Sequence, residues 1–165
     1  MSADDKLAVA ETIYRYATGI DTRDFPLYRS IFATEVAIDF SSYNGRQPAI
    51  MTGDQWVDSV RPLFTALAAT QHSMTNPIAE IDDDRARCRM YMQAHHVFVP
   101  DDPTSWFTIG GYYDDTLVRS DAGPAGWLID SVTLKVLWRR GDADIMVAAA
   151  TAGRANPAVQ RNPAG

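Results

Sequence analysis

The segment Tyr14-Arg15-Tyr16-Ala17-Thr18-Gly19-Ile20-Asp21-Thr22-Arg23-Asp24-Phe25 decides the reading of this chain. It closes an amphipathic helix predicted over residues 4–20, in which Leu7, Ala10, Ile13, Tyr14, Ala17 and Ile20 recur at three- and four-residue spacing. Asp4 and Asp5 suit the positive end of that helix. Asp21 does not suit the negative end: an acid there is unfavourable by roughly 0.3–1 kcal/mol and calls for a partner. Asp24 fits as the cap of the next helix, so capping does not account for Asp21. A histidine partner would, because the pair fixes the imidazole in one tautomer.

Outward from this segment, Pro26 to Phe32 reads as a short second helix and Val36 to Phe40 as a first strand. Thr52-Gly53-Asp54-Gln55 has the pattern of a capping box. It opens a helix carrying Trp56, Val60, Leu63, Phe64 and Leu67 on one face, which Pro62 is expected to kink or split. From residue 70 the apolar period becomes two, and strands are predicted over 70–74, 77–81, 85–99, 106–119 and 127–138. Turns fall at Asp82-Asp83-Asp84, Asp101-Asp102-Pro103 and Ser120 to Pro124. Gly110-Gly111 inside a strand marks a bulge or sharp bend. Helices followed by a meandering antiparallel sheet define an α+β class. A strongly bent sheet wrapped around N-terminal helices leaves a cone-shaped cavity, an α+β barrel with a pocket.

The chain of 165 residues fits one domain with a sizeable core, placed at 1–141. The segment 142–165 turns to Ala, Gly, Pro and Asn, with one short helix expected over 144–151 across the pocket mouth and disorder over 152–165. A net charge of -6 leaves no basic stripe for phosphates, which argues against nucleic acid and acidic membrane surfaces as partners. The single cysteine, Cys88, allows no intramolecular disulfide and reads as a buried inert thiol. The N-terminus lacks the features of a signal peptide, and no run approaches the roughly 18 apolar residues of a membrane span. A cytoplasmic enzyme or binding protein is expected.

Three histidines, His72, His95 and His96, all fall where the cavity should be lined. An acid and separated histidines in an aromatic-rich chain point to proton transfer inside a pocket. His95 and His96 are adjacent on a strand and face opposite ways. Parity groups His96 with Ala86, Cys88, Met90, Met92 and Ala94, the more apolar face; a bulge or a polar pocket end would nominate His95 instead. No closely spaced ligand pair supports a metal site, and no phosphate loop or Gly-x-Ser-x-Gly elbow is present, so neither metal nor cofactor is expected.

Taken together, Tyr16-x4-Asp21-Thr22-Arg23-Asp24-Phe25, Val36-Ala37-Ile38-Asp39-Phe40, Thr70-Gln71-His72, Gly110-Gly111-Tyr112-Tyr113-Asp114 and Trp127 resemble the SnoaL-like branch of the nuclear transport factor 2-like superfamily. That branch includes scytalone dehydratase, bile-acid 7α-dehydratases and hexachlorocyclohexane dehydrochlorinase. The resemblance implies catalytic roles for Asp21, His72 and Tyr16, and it favours His95 over His96. It places Asp114 where scytalone dehydratase carries an asparagine. Ile20 and Phe40 replace the two tyrosines that hold a water there, with Tyr16 or Tyr43 as substitutes. Phe40, Tyr43, Trp56, Met74, Tyr112 and Asp114 are expected to bind substrate.

The implied activity is a cofactor-independent lyase or isomerase of the dehydratase type, acting on a small hydrophobic cyclic or polycyclic molecule. His72, oriented by Asp21, would take a proton, and Tyr16 or His95 would give one. Two other activities share the scaffold: a polyketide-cyclase or ketosteroid-isomerase-like enzyme, and a non-catalytic ligand-binding or assembly subunit. A homo-oligomer, dimer or trimer, is expected by the same resemblance.

Overall fold

The computed structural model describes residues 2–156. Helix α1 (Ala3–Thr22) starts in a capping box, with Ser2 and Asp5 satisfying each other's backbone N–H groups. Its buried stripe is Val9, Ala10, Ile13, Tyr16, Ala17 and Ile20. Leu7 and Tyr14, expected on that stripe, are exposed, because the face turned to the sheet is centred one position further round. Helix α2 (Phe25–Ser30) begins at Asp24, whose carboxylate accepts from Leu27 N–H. It ends before Phe32, which opens strand β1 (Phe32–Asp39) instead of closing the helix.

A one-turn helix α3 (Ser41–Asn44) and a short strand β2 (Ala49–Thr52) follow; neither carries enough periodic residues to stand out in the sequence. The capping box at Thr52 and Gln55 forms and opens α4 (Gly53–Ala66), which continues through Pro62. Strand β3 (Ala69–Asp82) is one strand where two were expected. Asn76 takes a left-handed conformation, φ 55°, and the pairing register shifts between Thr75 and Ile78. Pro77 is thus absorbed in a bulge without ending the strand. Strands β4 (Arg85–Val97), β5 (Trp106–Arg119) and β6 (Trp127–Gly141) complete the sheet.

The sheet runs β2-β1-β6-β5-β4-β3, antiparallel throughout except for the parallel pair β1–β6. Its bend is built at Gly110-Gly111, where the pairing with β6 jumps from Trp138 to Val136 and leaves Leu137 unmatched. A Cβ at Gly111 would collide with the Lys135 carbonyl, so only glycine permits that approach. Helix α5 (Asp144–Ala155) packs on α4, with Gly153 against the Pro62 carbonyl. Helix thus extends over 152–155, where disorder was expected. Continuous burial of Ile145, Met146, Ala149 and Gly153 along one face supplies the reason. The remainder of that expectation, 157–165, lies outside the described residues. Among the described residues no helix is long and apolar enough to cross a membrane.

Candidate active site

The last turn of α1 carries Asp21 to the lower end of β3. Helix end and strand are joined by Arg23, a residue at φ 61° whose guanidinium donates to the carbonyls of Ile20, Asp21 and Leu67 and to Thr70 Oγ1 at 2.7 Å. These bonds cap the helix, whose last carbonyls would otherwise lack donors. Thr70 Oγ1 in turn donates to Asp21 Oδ1 at 2.9 Å. Asp21 Oδ2 accepts the backbone N–H of His72 at 2.6 Å, and Oδ1 lies 2.7 Å from His72 Nδ1. Burial alone would raise the Asp21 pKa, but the hydrogen bond and charge of the His72 ring, its N–H and Thr70 hold the carboxyl below its ordinary value. As the carboxylate can only accept, Nδ1 carries the proton and Nε2 is left free.

His72 and His96 sit on one face of the sheet, diagonal neighbours because His72 pairs with Ala94 and Thr70 with His96. The His96 ring is buried and its Nδ1 donates to the Phe107 carbonyl at 3.1 Å. Burial, followed by the nearby His72, lowers the His96 pKa to about 4, despite that hydrogen bond. His96 is therefore neutral near pH 7, with Nε2 as an acceptor. Phe64 lies against both rings, 6.0 Å from His72 and 6.2 Å from His96 between centroids.

Both histidines line a cavity of about 450 Å³, within the range of small-molecule sites. Tyr16, Phe40, Tyr43 and Trp56 line it as expected from the sequence. So do Tyr113, Leu63, Ile109 and Met146. Tyr113 Oη donates to Tyr16 Oη at 3.4 Å, and Trp56 Nε1 donates to Tyr28 Oη at 2.9 Å beside them. Burial pushes the pKa of Tyr16, Tyr28 and Tyr113 well above the ordinary phenol value, so all three keep their protons.

Four expectations need correction. His95 lies on the opposite face from His72, its Nδ1 2.6 Å from Thr108 Oγ1 and its ring beside Trp106. No bulge interrupts β4 between Arg85 and Val97, so strict alternation delivers His96 to the cavity. The same alternation turns Tyr112 and Asp114 outward and Tyr113 inward. Asp114 is gripped by Arg87 through two bonds of 2.7 Å and by Arg89 through a third, which lowers its pKa to about 2 against partial burial. Met74 shares the face of His72 but packs into the core, outside the cavity lining.

Arg23 and Tyr113 were not singled out from the sequence. Tyr113 was accessible to period-two counting from Phe107 to Leu117. Arg23 had no such signal, because a left-handed residue after a helix is ordinarily glycine or asparagine.

The chain belongs to the SnoaL-like domain family, whose model matches residues 1–133. It is 30% identical over 142 residues to Terrestric acid biosynthesis cluster protein E of Penicillium crustosum, spanning 84% of this chain and 86% of that protein. It is similar in structure to the Kfla4162 protein from Kribbella flavida, with TM-score 0.78 and 28% identity over 87% of this chain and 97% of that one. A protein from Novosphingobium aromaticivorans, provisionally assigned as a scytalone dehydratase, has TM-score 0.71 at 17% identity over 84% and 87% of the two chains. LinA, a hexachlorocyclohexane dehydrochlorinase, has the same fold, with TM-score 0.65 at 15% identity over 84% and 89%.

Proposed function

We propose that the protein is a cofactor-independent lyase or isomerase of the dehydratase type, acting by proton transfer through the His72–Asp21 pair on a small hydrophobic cyclic molecule. The contact of 2.7 Å between Asp21 and His72, whose ring lines a largely apolar cavity, carries this reading. With Nδ1 held by Asp21, His72 Nε2 takes a proton from carbon next to a carbonyl, and the carboxylate stabilises the resulting imidazolium. Tyr16, whose oxygen accepts from Tyr113, keeps its proton and donates a hydrogen bond to the developing enolate oxygen. The imidazolium returns its proton either to a departing hydroxyl, giving water and an alkene, or to another carbon, giving an isomer. Charge and atoms balance within the chain and substrate in either case. The membership of the family and the dehydratase and dehydrochlorinase names among structural relatives support this class.

Asp21→Asn tests the assignment. It preserves volume and, through its one remaining carbonyl oxygen, the bond from His72 N–H, while removing the charge and the acceptor facing the ring, and it is expected to lower turnover of hydroxylated cyclic ketones by at least about 10²-fold. Unchanged turnover in a folded variant overturns the role of the pair. The same reading includes self-association through the outer sheet face, where Tyr91 and Trp138 are exposed. Light scattering of the purified chain is expected to give a dimer or trimer, and a monomer overturns it.

A further inference from the structure

Among tyrosines and apolar side chains, the cavity lining holds two enclosed histidines and three exposed polar residues of one segment. The inner end presents the free Nε2 atoms of His72 and His96, both acceptors. The walls are Leu63, Phe64, Ile109 and Met146. The mouth is a loop from α3 to β2, where Asn44, Arg46 and Gln47 all line the cavity. Among the described residues Arg46 is the one permanently charged side chain in that lining, and no aspartate or glutamate lines it. Among the described residues no carboxylate pairs with its guanidinium. This stands out in a chain of net charge -6, where most arginines are engaged by acids or carbonyls.

The loop is held in place. Arg46 N–H donates to Asn44 Oδ1 at 2.9 Å, and Gly45 turns the chain at φ 72°. Ser42 bridges the turn to β6, donating to the Leu134 carbonyl at 2.6 Å and accepting from Val136 N–H at 3.0 Å. Arg139 donates to the Ser42 and Tyr43 carbonyls, adding a second positive charge behind the mouth.

From this we infer that the substrate is a monoanion: a cyclic, largely apolar body with a carboxylate or acidic enolate that Arg46 binds at the mouth while the acidic C–H or O–H faces His72. The inference rests on the proton-transfer reading for its inner end only. Guanidinium and carboxylate match in geometry and charge, and Asn44 and Gln47 supply further donors. The charged group also orients the molecule, since a carboxylate set against the His72 and His96 rings would meet two lone pairs.

Calorimetric titration with 2-naphthoate and methyl 2-naphthoate tests the inference, because the two differ only in the charge and one methyl group. The wild-type protein is expected to bind the acid at least about fivefold more tightly than the ester at low salt. Arg46→Gln is expected to abolish that preference. Arg140→Gln, which changes the net charge equally but lies outside the lining, is expected to keep it. Equal binding of the two compounds by the wild type, or a preference that survives Arg46→Gln, overturns the inference. Asp21→Asn separates the two readings: a preference kept there, with turnover also kept, upholds Arg46 and rejects the proton-transfer pair.

Discussion

The rings of His72 and His96 stand almost perpendicular, at 87°, with centroids 5.8 Å apart. Each Nδ1 is committed, one to the Asp21 carboxylate and the other to the Phe107 carbonyl. Only the first has a negative charge against it. Two imidazolium ions at this separation would repel, so one ring is equipped to accept a proton while the other remains neutral.

It follows that the adjacent histidines of β4 differ in importance. His96→Ala is expected to reduce kcat/KM by at least about tenfold, since it removes an acceptor from the cavity. His95→Ala, on the outer face, is expected to stay within about threefold. Equal losses in steady-state assays would contradict the assignment.

The low pKa of His96 has a consequence for stability. Its folded value, about 4, lies below the ordinary 6.5, so between these the unfolded chain binds a proton that the folded chain refuses. Stability is therefore lost as pH falls from about 6.5 to about 4, by on the order of 3 kcal/mol for this group alone. Urea unfolding at pH 7 and pH 4.5 checks this, and His96→Gln is expected to show a shallower dependence than the wild type.

Asp115 titrates with the opposite sign. It is buried on β5, its Oδ1 accepts from Thr133 N–H at 3.1 Å, and Oδ2 has no partner among the described residues. Burial raises its pKa well above 3.8, so the unfolded chain gives up this proton more readily and stability is lost as pH rises through that interval. Asp115→Asn retains the Thr133 bond and removes the penalty. Its stability relative to the wild type is expected to grow between pH 5 and pH 8 in denaturant titrations; a constant difference would exclude a protonated Asp115.

Arg23 holds the end of α1 and the start of β3 in one network. Arg23→Met strips donors from three carbonyls and from Thr70, and a loss of about 1–3 kcal/mol is expected. Arg23→Lys is expected to recover little, because one ammonium cannot span that fork of acceptors. If the network only stabilises, the 15N shifts of the His72 ring stay as in the wild type; loosening of the Asp21 contact is expected to shift them.

Gly153 meets the Pro62 carbonyl so closely that a methyl group does not fit. Gly153→Ala is expected to push α5 off α4 at about 1–3 kcal/mol and to open the cavity wall at Met146. Increased acrylamide quenching of Trp56, which lines the same cavity, reports the opening.

Much of this architecture was legible in the residues. The misplaced charge of Asp21, the capping box at Thr52 and the glycine pair at 110 and 111 each forced a local geometry, and each geometry is present. Alternation along β4 nominates His96, which lines the cavity, whereas the resemblance favours His95, which does not. A strand without a bulge obeys its own period, whatever a distant alignment places there. The parallel pairing of β1 with β6 and the elements α3 and β2 were not legible. They depend on long-range closure, and four-residue elements carry no period to count. Arg46 was hidden for a similar reason: an exposed arginine in a loop looks the same whether it faces open water or a pocket mouth.

The family match ends at residue 133, yet Leu134 and Met146 both line the cavity. Asp21, His72 and His96 all fall within the matched residues, whereas Met146 stands on α5, beyond them. Replacement of that single helix would reshape one wall of the cavity while leaving the Asp21–His72 contact untouched.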